Sequence, residues 1–117
     1  MKMKILFMLL FICLVSTSIV YAHPPKDIEI SYDPATKILT AIIIHDTSNP
    51  LGHYIKKVDI GLNDGNEEII QQIISKQDNN NSQKVSYYIP DAKANDRLSV
   101  EGYCSISGKL EKEITVK

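Results

Sequence analysis

Short stretches rich in β-branched residues recur along this chain with turn residues between them, and this succession limits the fold more than any other feature. Residues 27–32 (DIEISY) alternate apolar and polar side chains with the period of a half-buried strand. The turn Asp33-Pro34-Ala35-Thr36 follows, then β-branched runs at 37–44 and 54–62, then the turn Asn63-Asp64-Gly65. Residues 67–75 are ambiguous, because Ile69, Ile70, Ile73 and Ile74 fit helical spacing as well as β-branched character; they are assigned to a strand. After a polar loop at 77–83, further strands are expected at 84–89, 97–104 and 110–116, with the segment 90–96 between the first two of these. About seven short strands without a convincing helix predict an all-β fold, an immunoglobulin-like antiparallel β-sandwich.

The first 22 residues stand outside that pattern. Lys2 and Lys4 precede an apolar run from Ile5 to Val15, and Val20 and Ala22 occupy the two selective positions of a small-residue cleavage site. The run is short for a bilayer span of about 20 residues, so residues 1–22 read as a signal peptide cleaved after Ala22. The expectation is an exported protein, periplasmic or secreted, free of the membrane after cleavage, with one domain at 23–117. Cleavage removes two lysines and no acid, which moves the net charge from −1 to −3. It also removes Cys13 and leaves Cys104 alone in a compartment where cysteines usually pair. An intermolecular disulfide, a buried inert thiol and a metal thiolate remain open for it.

Charge and motif content exclude several function classes. A chain without basic excess or a run of Lys or Arg does not neutralise phosphates well, so no nucleic-acid partner is expected. No glycine-rich phosphate loop or nucleophile elbow occurs, and the acids are scattered over strands and turns. The soft and borderline ligands left after cleavage are His23, His45, His53 and Cys104. His45 ends one apolar strand and His53 begins the next, so the loop at 46–52 brings both imidazoles to one end of the sandwich. Cys104 ends the sixth strand, before the turn Ser105-Ile106-Ser107-Gly108. Imidazole nitrogen with thiolate suits iron, copper or zinc, whereas magnesium and calcium prefer oxygen.

His23 with its nearby prolines, His45 at a strand end, His53-Tyr54-Ile55 opening the next strand, and Cys104 four residues before Gly108 together resemble the superoxide reductases, the desulfoferrodoxin and neelaredoxin group. The likeness spans residues 23–117. It implies an immunoglobulin-like sandwich that binds mononuclear non-haem iron, with His23, His45 and His53 as nitrogen ligands and Cys104 as the axial thiolate. It further implies reduction of superoxide to hydrogen peroxide by one electron from ferrous iron, replenished by an external electron donor. The fourth histidine of the family normally follows the cysteine by three positions, where this chain has Ser107. Two expectations follow from that serine. The α-amino group freed at His23 by cleavage chelates with its imidazole, restoring a fourth nitrogen and admitting copper as an alternative to iron. Otherwise the domain is a non-enzymatic immunoglobulin-like module that has lost its metal.

Overall fold

A computed structural model describes residues 23–63 and 67–117. The expected signal peptide at 1–22, with Cys13, and the Asp64-Gly65 part of the expected turn lie outside the described residues. Among the described residues there are seven strands: β1 (Asp27–Asp33), β2 (Ile38–Ile44), β3 (Ile55–Leu62), β4 (Glu67–Ile73), β5 (Ser82–Tyr88), β6 (Arg97–Cys104) and β7 (Lys109–Thr115). They form two antiparallel sheets, one ordered β1-β2-β5 and the other β4-β3-β6-β7. This is the all-β sandwich that the strand pattern predicts. The fourth strand lies beside β3, whereas in the constant-type immunoglobulin arrangement it joins the first and second strands.

The core follows from period-two burial. Leu39, Ala41 and Ile43 of β2 turn inward, and so do Ile55, Val58 and Ile60 of β3 and Leu98 and Val100 of β6; all eight are fully buried. At the end of the sandwich where β2 finishes, the sheets approach closely. A Cβ on Gly102 of β6 would stand 3.2 Å from Cγ2 of Ile43, so the absence of a side chain there lets β6 pass the facing sheet.

Most boundaries fall within one residue of the sequence reading, and the two that differ by two residues do so for identifiable reasons. The fifth strand begins at Ser82, two residues before the expected start, because Ser82 and Gln83 already pair with Ile44 and Ile43 of β2. The ambiguous stretch at 67–75 is strand through Ile73, hydrogen-bonded along β3. Its confusing periodicity comes from an edge position, where Ile69 and Ile73 face outward (39% and 74% exposed) while Ile74 is buried.

Candidate metal centre

The three histidines converge at one end of the sandwich. Their ligand nitrogens all lie within 4.8 Å of one another, and the ring centroids are 5.0 Å apart for His23–His45 and His23–His53 and 4.7 Å for His45–His53. Each ring arrives on a separate piece of chain and is held there by backbone contacts.

His45 directly follows β2, and the β2 ladder continues through it. The His45 amide donates to the Asn81 carbonyl at 2.9 Å and the Thr47 amide to the Asn80 carbonyl at 2.8 Å, on the side of β5. His45 is completely buried. His53 is set by a tight turn in the 46–52 loop, in which the Asn49 carbonyl accepts from the amides of Gly52 (3.1 Å) and His53 (2.8 Å). Asn49 is in turn fixed by its own amide, which donates to the Thr47 hydroxyl. His23 stands just before β1. The Lys26 amide bonds the Ile44 carbonyl at 2.8 Å, the Lys26 ammonium pairs with the Asp46 carboxylate, and Pro25 is buried.

The turn after β6 closes this end. The Cys104 amide donates to the Gly108 carbonyl (2.9 Å), the Ser105 amide donates to the Tyr54 carbonyl (2.8 Å), and the Ser105 hydroxyl accepts from the Tyr54 amide. Gly108 has φ of 88°, a region that only glycine enters without strain, and a Cβ there would meet the Pro24 nitrogen at 2.9 Å. The glycine of the cysteine turn therefore seats the residue next to His23.

Burial favours the neutral form of two of these rings, His45 and His53. Burial pushes the His45 imidazole below its ordinary 6.5, against a smaller opposing effect of its hydrogen bond to Gln77. Burial, followed by the nearness of His45 and His23, lowers His53 in the same direction. A neutral imidazole is the form that binds a metal. Nε2 of His45 and Nε2 of His53 are both buried without a protein hydrogen-bond partner, a costly state for polar atoms. For His23, Nδ1 lies 3.2 Å from the Pro24 carbonyl, which can only accept; Nδ1 is thus the donor, and Nε2 is the nitrogen left to offer a lone pair when the ring is neutral. An amine and imidazole chelate at His23 would use Nδ1, so it requires the ring to leave that carbonyl.

Three convergent imidazoles with two orphaned buried nitrogens fit a transition-metal ion, which holds such nitrogens at about 2.0–2.1 Å in the case of zinc. Cys104 ends β6, is free and is 1% exposed, which leaves no surface for an intermolecular disulfide. Its thiol is not among the ligand atoms grouped within 4.8 Å; the residue borders a cavity of about 330 Å³ together with Lys56, Ile106, Ser107 and Gly108. Ser107 is exposed on the turn. Of the two lysines after His53-Tyr54-Ile55, Lys57 is engaged elsewhere, 3.4 Å from Asp59 and stacked on the Tyr103 ring at 4.1 Å.

Sequence reasoning missed Gln77. It is fully buried, accepts from His45 Nδ1 at 2.8 Å, and donates its amide protons to the carbonyls of His45 (2.7 Å) and Asn79 (2.8 Å). The signal was weak, since Gln77 opens a polar run, Gln-Asp-Asn-Asn-Asn-Ser-Gln, that reads as solvated loop. No known family model, curated protein or solved structure matches the chain.

Proposed function

We propose that this chain is an exported, mononuclear non-haem iron protein whose metal is held by His23, His45 and His53, with Cys104 supplying the sulfur, and that it reduces superoxide with electrons from an external donor. The observation that carries the metal reading is the convergence of three imidazoles with buried, unpartnered Nε2 atoms on His45 and His53. The order and local setting of the four residues carry the choice of iron and superoxide, through their resemblance to superoxide reductases.

When bound, ferrous iron supplies the single electron, and two protons complete hydrogen peroxide. The chain's own contribution is to bind and orient. Burial favours the neutral rings of His45 and His53, which then present lone pairs without first releasing protons, and the fold already brings the ligand nitrogens of all three histidines within 4.8 Å of one another. Full burial of His45 excludes water from that side of the cluster.

The test is to express the complete sequence, load the purified protein anaerobically with ferrous iron, and measure iron per chain for the native protein and for His53→Ala and Cys104→Ser. One iron per chain, lost in His53→Ala, supports the metal centre. Superoxide consumption with one peroxide formed per superoxide, absent without iron, supports the reductase. No iron in the native protein overturns both and returns the domain to a binding or structural module, with copper as the remaining metal to load.

A further inference from the structure

We propose that Gln77 is a positioning residue that locks His45 in the Nδ1–H tautomer and thereby aims an unprotonated Nε2 into the cluster; the role assigned to that nitrogen rests on the metal-centre reading above.

The orientation of the Gln77 amide follows from its partners. Both of the short contacts made by its nitrogen are to carbonyl oxygens, those of His45 and Asn79. A flipped amide would set oxygen against both, four lone pairs facing with no proton between them. Oε1 is therefore the atom that meets His45 Nδ1 at 2.8 Å, and an amide oxygen only accepts. Nδ1 must carry the proton, and the neutral ring then has its free lone pair on Nε2, the buried atom without a protein partner.

The same residue reaches the neighbouring ligand. The Gln77 backbone N–H donates to the Pro50 carbonyl at 3.1 Å, inside the 46–52 loop whose turn places His53. One buried side chain with its own backbone thus spans the segment after β2, the loop before β3 and the start of the crossing to β5. No other side chain of similar length satisfies all of these contacts. Glutamate would keep the acceptor for Nδ1 but oppose two carbonyls, and methionine would keep the volume and lose every polar contact. An uncharged amide also leaves the imidazole less basic than a carboxylate partner would.

The experiment reads the proton directly. Metal-free protein, expressed from the complete sequence with ¹⁵N label, is examined by long-range ¹H–¹⁵N correlation at pH 7.5, alongside Gln77→Met and Gln77→Glu. His45 protonated at Nδ1 in the native protein, a tautomer mixture in Gln77→Met, and retention of Nδ1–H in Gln77→Glu are expected. Ferrous iron affinity, measured anaerobically on the same samples, should fall about 10- to 100-fold in Gln77→Met, the range for loss of an outer partner of a metal ligand. A native His45 protonated at Nε2 or averaging between tautomers overturns the proposal even if neither variant folds. So does a folded Gln77→Met with a native tautomer and undiminished affinity. A locked Nδ1–H in a native protein that takes up no iron supports the lock and fails the metal centre, which separates the two claims.

Discussion

Replacing Gly108 with alanine tests how the cysteine turn and the N-terminal histidine are joined. At φ of 88° an L side chain is strained, and the left-handed region costs about 1–2 kcal/mol per residue for anything but glycine. The stiffer unfolded chain returns about 0.4–1 kcal/mol, yet the new Cβ also stands 2.9–3.0 Å from the nitrogen, Cα and Cβ of Pro24. Backbone cannot yield there as a flexible side chain would. Because Lys26 stays bonded to Ile44, the displacement falls on residues 23 and 24 and carries the His23 ring out of the cluster. Gly108→Ala should therefore unfold in urea with about 1–2 kcal/mol less stability, a fall of about 4–8 °C in Tm for each kcal/mol in a domain of this size. Its ferrous iron affinity should drop to that of His23→Ala, which loses the ligand while leaving stability nearly native. A Gly108→Ala protein that is destabilised but binds iron like the native one would refute the placement of His23 by this contact. Native stability would refute the strain.

Other expectations follow from the same geometry. His45 and His53 titrate below their unfolded value of 6.5, so the unfolded metal-free chain takes up protons first as pH falls. Stability should be flat above about pH 7 and decline through pH 6.5 and below, with a slope of at most about 1.4 kcal/mol per pH unit from the buried His45; urea midpoints that rise on acidification would contradict this. Cys104→Ser puts a hydroxyl into a buried thiol's place and should cost about 1–3 kcal/mol, while the iron-loaded protein loses its thiolate charge-transfer absorption; an unchanged spectrum would remove sulfur from the centre. If residues 1–22 direct export as proposed, mass spectrometry of the processed protein should find His23 as its first residue. Acetylating that amine should leave iron affinity unchanged if Nε2 is the ligand and weaken it if the amine and Nδ1 chelate together.

Much of the fold was legible because strands bury by alternation. The seven strands, and the placing of His45 and His53 at one end, follow from where β-branched runs start and stop. Less was legible where one sequence pattern serves two environments. Ile69 and Ile73 look like core residues but lie on the outward face of the edge strand β4, whose position beside β3 depends on pairing rather than on local preference. Gln77 and Gln83 sit in a polar run and are nonetheless buried, because each finds hydrogen-bond partners distant in the fold or beyond its own turn. No periodicity encodes that outcome. The resemblance placed Cys104 with the histidines, and the structure puts it at the end of β6, before the adjoining turn, without grouping its thiol with their nitrogens.

Two kinds of anchor hold the His23 segment, and they should contribute unequally. The Lys26–Asp46 pair is exposed on both sides, so solvent and salt screen it, and the lysine gives up side-chain freedom to form it. The Lys26 amide to Ile44 carbonyl bond instead extends the β1–β2 ladder, and it survives any change of the lysine side chain. Lys26→Ala should accordingly leave stability and iron affinity close to native at physiological salt, with whatever small loss occurs vanishing as salt is raised. Gly108→Ala acts on the backbone contact at Pro24, and its effect should be the same at low and high salt. Were Lys26→Ala to release iron as readily as Gly108→Ala, the cluster would be held by surface charge, and iron affinity of the native protein would have to fall steeply with ionic strength. Titrations with ferrous iron at 0.05 and 0.5 M salt on the three proteins separate the two cases.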